Sequence, residues 1–313
     1  MEFGGRFGVI DSFRHNGLVP ALALLQQMGA TGLDFLGLTH PHEDHYSGMG
    51  EIFDYFATRD GVGEFWRYPA LDWKNLYPVL KARIFRNAGA PIIQAQANAC
   101  VNELHDFYRK LLQRPGLIIR NLEIGFHWTL WEPVSCRVLA PAGAITIQAA
   151  ERLAQEVTYS DQKREPLNDY SFALHFQAMD HSIFLMGDVS KKSWICSKSD
   201  SLWPGLITPG RNVFLKASHH GSDSDNPDWL LSAIKGADST KFAVTRYTPS
   251  GLPRSKFMAR LASFDDGESH RLSEKPSEAG PSFEPECLEL EITSSGVQCR
   301  RWSLDQLSAL VWN

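Results

Sequence analysis

The sequence predicts one layered α/β unit, and three observations carry that expectation. Apolar runs of strand length alternate with stretches of helical periodicity, no internal repeat interrupts them, and no shift in composition divides the chain into separate domains. At 313 residues, 43% hydrophobic and 21% charged, there is material for a sizeable core. The expected domain therefore runs over 1–313, with a largely helical insertion around 70–115 and a flexible loop around 267–285.

The elements follow in order. Phe7 to Ser12 reads as a short buried strand ending in the carboxylate of Asp11, Val19 to Gly29 as a helix stopped by glycine, and Leu33 to Leu38 as a second strand that delivers the chain to Thr39-His40. From Gly50 to about Arg120 the spacing of Leu76, Leu80 and Ile84, and of Val101, Leu104, Phe107 and Leu111, predicts helices broken near Pro69 and Gly89-Ala90-Pro91. The aromatic group Phe65-Trp66-Arg67-Tyr68 with Trp73 could stack bases, but aromatics at that density more often form core. Cys136 to Pro141 is a strand closed by proline, Ile145 to Val157 a helix, and Gln162 to Pro166 a charged loop. The pattern then turns to β, with strands at Ser171–Phe176 and Ser182–Met186 joined by a turn at Met179-Asp180-His181, and further strands at Val213–Ala217, Phe242–Thr245, Cys287–Ile292 and Val297–Trp302. A helix covers Trp229 to Ile234.

Bulk properties exclude several classes. No run approaches the roughly 18 apolar residues that span a bilayer, and the opening Met1-Glu2-Phe3-Gly4-Gly5-Arg6 lacks the order of a signal peptide, so no membrane partner and a cytoplasmic location are expected. Five scattered cysteines without a CxxC pair fit neither a disulfide framework nor a thiolate zinc site. With a net charge of −5, nothing global draws the protein to nucleic acid, so a polyanion would need a local groove.

The chemistry concentrates in His40-Pro41-His42-Glu43-Asp44-His45, directly after an apolar strand. His40 and His42, two apart on a turn, can face one divalent ion, and Asp44 and His45 a second, an N/O donor set suited to zinc, manganese or iron. A polar loop with incidental histidines seldom reaches this density.

Thr39 to Gly48 (THPHEDHYSG) closely resembles the HxHxDH signature of the metallo-β-lactamase superfamily. The resemblance implies its four-layer αββα sandwich and two divalent metal ions, zinc or manganese, held about 4 Å apart around an activated water. Phe184-Leu185-Met186-Gly187-Asp188 looks like the element that supplies the bridging aspartate, and Leu215 to Ser222 like the one that supplies a last histidine. Asn168-Asp169-Tyr170-Ser171, Met186-Gly187-Asp188 and His219-His220-Gly221-Ser222 are most similar to the metallo-β-lactamase domain of the ComEC type, a branch associated with phosphodiester hydrolysis including that of DNA.

The implied roles place His40 and His42 on the first metal, Asp44 and His45 on the second, and Asp188 between them. One of His219 and His220 completes the second metal, and the other is a candidate acid or oxyanion donor. Asp44 and His220 are the residues expected to carry catalysis. Asp11 is expected to orient the ligand loop from behind, and Arg246 to contact substrate. Lys191-Lys192, Lys216, Arg254, Lys256 and Arg260 could line a phosphate track, although charge runs are more often solvated faces.

Two departures from the family pattern stand out. The further histidine that usually serves the first metal falls here at Asn168-Asp169, so the first site is expected to be ligand-poor and completed by Asp169, Asn168 or water. Oxygen ligands would favour manganese or magnesium over zinc. His127 and His175 are the nearest histidines, with core or surface roles expected instead. The usual first strand, ahead of the one ending in Asp11, is short or missing, which would open a sheet edge for a protein partner. The leading expectation is a phosphodiesterase or nuclease acting on DNA or RNA. The rivals are a hydrolase of small esters, lactones or thioesters, and a partner-activated or non-catalytic subunit of a larger complex.

Overall fold

A computed structural model describes residues 1–68, 72–86, 91–158, 166–245, 250–264, 270–271, 286–293 and 296–303. The chain is mixed α/β and forms two compact units, Met1–Leu122 with Gly143–Tyr170, and Glu123–Ala142 with Ser171–Asn313. The segments expected as loops at 162–165 and across most of 267–285 lie outside the described residues.

The first unit is built on a five-stranded sheet in the order β1 (Glu2–Phe3), β2 (Arg6–Ile10), β3 (Gly32–Leu38), β4 (Gly61–Arg67) and β5 (Ile118–Asn121). β2 to β5 pair in parallel, while the two-residue β1 pairs antiparallel with β2, so the first strand is present but short. Its helices are α1 (Pro20–Gln27), the single turn α2 (Glu43–Tyr46), α3 (Met49–Ala57), α4 (Trp73–Arg86), α5 (Pro91–Gln113) and α6 (Gly143–Thr158). The predicted apolar stripe of α4 and α5 is the buried one, with Leu76 and Leu104 fully enclosed.

β3 stands at the centre of that sheet with β4 beside it, and their side chains explain a glycine. Phe35 stacks on Trp66 at 3.7 Å with the rings 4° from parallel. A Cβ on Gly8 of the neighbouring β2 would sit 2.1 Å from the Phe35 ring, so only glycine lets the three strands close. Phe65, Trp66 and Tyr68 are wholly buried and Trp73 nearly so, which makes this aromatic group core and not a base-stacking surface.

The second unit has a seven-stranded mixed sheet. Its strands in chain order are β6 (His127–Trp131), β7 (Val134–Ala140), β8 (Ala173–Ala178), β9 (His181–Leu185), β10 (Asn212–Lys216), β11 (Ser239–Val244) and β12 (His270–Arg271). In space they run β12-β11-β10-β9-β8-β7-β6, antiparallel from β6 to β9 and parallel from β9 to β12. The helices α7 (Lys191–Lys198), α8 (Asp228–Ile234) and α9 (Ser255–Leu261) pack Trp194, Leu230, Leu231 and Phe257 against Phe184, Leu215 and Phe242 of the sheet. A separate hairpin, β13 (Glu286–Thr293) and β14 (Gly296–Ser303), follows. No helix of the described residues is long and apolar enough to cross a membrane.

Candidate metal centre

In the first unit, parallel strands end together and carry their loops to one edge, which is where β2 and β3 deliver Asp11 and the histidine loop. Asp11 leaves β2 in a left-handed conformation (φ 58°), a region that costs a non-glycine residue about 1–2 kcal/mol. That turn is held by the Asp11 amide, which donates to Gly37 O at 2.8 Å. Its carboxylate then accepts three bonds: from the Thr39 amide at 2.8 Å, from Thr39 Oγ1 at 2.7 Å and from His45 Nδ1 at 2.7 Å.

The consequence falls on His45. With Nδ1 held by Asp11, its other ring nitrogen, Nε2, faces Asp44 Oδ2 at 3.7 Å. His40 is fully buried and its Nε2 lies 2.9 Å from His42 Nδ1, with the two ring centroids 4.5 Å apart. Ligating atoms of His40 and His45 come within 4.8 Å of one another, as do those of Asp44 and His45. The turn after these residues is clamped by α5: Glu103 Oε1 accepts the Gly48 amide at 3.0 Å, and the same carboxylate pairs with Arg14, whose own amide donates to Ser47 Oγ at 2.9 Å.

In the second unit, Asp188 and His220 lie close together. Asp188 follows β9 through Gly187 in a left-handed turn (φ 50°), is almost wholly buried, and donates its amide to Ser171 Oγ at 3.0 Å. Its Oδ2 lies 3.5 Å from His220 Nε2 and its Oδ1 3.6 Å from Lys216 Nζ. His220 Nδ1 is in turn 3.0 Å from Thr245 Oγ1. His220 therefore repeats the arrangement of His45, one ring nitrogen anchored by an oxygen and the other facing a carboxylate. That is the pattern by which proteins orient a metal-binding imidazole.

His219 is built differently. Its Nδ1 lies 2.7 Å from Asp225 Oδ2, and Asp225 Oδ1 accepts the amide of Lys191 at the start of α7 at 2.8 Å. Burial pulls the His219 pKa down, but the Asp225 hydrogen bond and the charge of Asp188 outweigh it and hold it above the ordinary value. Burial likewise opposes the charge on Asp225, yet the bonds from His219, Ser222 and the Lys191 amide keep its carboxyl below the usual range. His219 and Asp225 thus form an ion pair in which the imidazolium is favoured.

Of the other expected residues, Asn168 and Asp169 lie buried in a 3-10 turn at Leu167–Tyr170 of the first unit, where the Asp169 amide donates to Pro166 O at 3.1 Å. Arg246 lies outside the described residues. His127 is exposed on β6, while His175 is buried on β8, stacked on Phe184 at 4.2 Å and bonded through Nε2 to Ser182 Oγ at 2.9 Å. Sequence reasoning missed Thr245, Asp225, Asn226 and Glu103. The only hint was the Asp/Asn-rich run Ser222 to Pro227 after the histidine pair, which signals a turn and nothing more specific.

No family model matches this sequence, and no curated protein matches it. Among solved structures, the chain is similar to Zn²⁺-bound PqqB from Methylobacterium extorquens, with a TM-score of 0.36 and 8% sequence identity over 74% of this chain and 69% of that one.

Proposed function

We propose that the chain is a metal-dependent hydrolase of the metallo-β-lactamase type, with His40, His42, Asp44, His45, Asp188 and His220 as ligands to two zinc or manganese ions. The observation that carries this reading is the repeated anchoring of imidazoles. Asp11 holds His45 and Thr245 holds His220, each by Nδ1, so that each presents Nε2 toward a carboxylate. A buried to half-buried set of nitrogen and carboxylate oxygen donors suits these ions.

Divalent cations held by these residues would supply an acidified water and charge neutralisation at the substrate. The chain's own residues do the rest. Asp11, an acceptor only, keeps the His45 imidazole in the tautomer that leaves a lone pair at Nε2, and Thr245 fixes the orientation of the His220 ring. His219, its Nδ1 held by Asp225, presents its other ring nitrogen as proton donor to the leaving oxygen. Phosphodiesters, with DNA or RNA the leading substrates, are favoured by the likeness of His219-His220-Gly221-Ser222 to the ComEC-type motif.

The test is a matrix of metal against substrate: manganese, zinc or magnesium with single-stranded DNA, duplex DNA, RNA and a generic phosphodiester. Cleavage should need manganese or zinc, and Asp44→Ala and His42→Ala should each abolish it while the far-UV circular dichroism stays that of the parent. Full turnover by either variant would remove the metal mechanism. Cleavage confined to esters, lactones or thioesters would replace the phosphodiester.

A further inference from the structure

Three consecutive left-handed residues make an unusual loop. His219 (φ 45°), His220 (φ 50°) and Gly221 (φ 75°) all occupy this region, and only the last is a glycine. Two histidine side chains cannot favour that backbone on their own, so something else must hold it.

Ser218, immediately before, is fully buried and bonded at every polar atom. Its Oγ donates to Val189 O at 2.8 Å, in the loop that carries Asp188. Its amide donates to Asn226 Oδ1 at 2.9 Å, and its carbonyl accepts from Asn226 Nδ2, also at 2.9 Å. The same Asn226 Nδ2 donates to Ser222 O at 2.8 Å. One amide side chain, itself 1% exposed, therefore grips the backbone on both sides of the left-handed stretch. From the far side Arg260 of α9 donates to Asn226 O at 2.5 Å and Asp223 O at 3.0 Å, which fixes the loop that carries Asn226.

We propose that Asn226 is a positioning residue for the metal centre: by bonding Ser218 and Ser222 together it holds His220 in the strained backbone that turns Nε2 toward Asp188. This rests on the reading of His220 and Asp188 as metal ligands. An asparagine is the side chain that does it because the task needs an acceptor for the Ser218 amide and two donors for the two carbonyls, which aspartate and serine cannot both supply.

The experiment measures divalent-metal affinity by competition with a chromogenic chelator, together with the visible spectrum of the cobalt(II)-substituted protein. Asn226→Asp keeps the size and the acceptor but loses both donors, and should weaken binding roughly 10- to 100-fold and alter the cobalt bands. Asn226→Ser, which drops the same bonds without burying a charge, should shift both readouts in the same direction. Val213→Ala, a core truncation at the start of β10, should lower thermal stability and leave affinity within twofold, so loss of stability alone cannot mimic the effect. Folded Asn226→Asp or Asn226→Ser protein with the parent's affinity and cobalt spectrum would overturn this inference while leaving the metal reading intact. A parent that binds no divalent ion would overturn both.

Discussion

Asp11 shows how much one side chain can settle. Its carboxylate accepts from the Thr39 amide, the Thr39 hydroxyl and His45 Nδ1, tying the start and the end of the histidine loop to one point. Asp11→Asn isolates that role, because asparagine tolerates the left-handed backbone but turns a donor toward groups that are themselves donors. We expect a modest loss of thermal stability and metal affinity lower by roughly 10- to 100-fold, measured by chelator competition. Unchanged affinity would mean that the His45 tautomer is set elsewhere. The proposed ligands from His40 to His45 are legible in sequence because they are clustered, and Asp11 because it ends a strand beside them. Thr245 and Asp225 were not. Each acts across a gap in the chain of many or few residues, through one short polar side chain whose type says only that a turn is near.

At the level of elements, β3 was plain as an apolar run, but β4 was not. In Gly61 to Arg67 the exposed Gly63 and half-buried Glu64 sit side by side between buried ends, so the strand lacks the alternation that marks a half-exposed one, and its two glycines lower the apparent strand propensity. What β4 contributes is Trp66, the stacking partner that pins Phe35 above Gly8. Gly8→Ala should therefore destabilise the protein by about 1–3 kcal/mol, the usual cost of forcing extra volume into a packed core, read from the guanidinium midpoint. A midpoint equal to the parent's would show that the Phe35 ring can move aside.

On the scale of the whole molecule, the α/β class was legible because alternation of element types survives errors in any single element. The division into two compact units was not, since the chain passes from one to the other more than once and no linker composition marks the crossings. Stability against acid is a property at this scale. Burial, reinforced by the charges of Arg137 and His127, pushes His175 down to about 3, whereas an unfolded histidine titrates near 6.5. As pH falls through that interval the unfolded chain takes up a proton that the folded chain refuses, so stability falls, by ~1.4 kcal/mol per pH unit for one group. Urea midpoints at pH 7 and pH 5 should show a loss in the parent exceeding that of His175→Gln by about 2 kcal/mol. Equal losses would place the acid sensitivity in other groups.

The grip of Glu103 on the Gly48 amide and on Arg14 gives the long helix α5 a second meaning. A segment that looks like decoration on the sheet, and that a protein engineer might trim in search of a minimal scaffold, is the buttress of the loop bearing Asp44 and His45. Shortening the chain there would set that loop adrift even if every side chain from His40 to His45 remained.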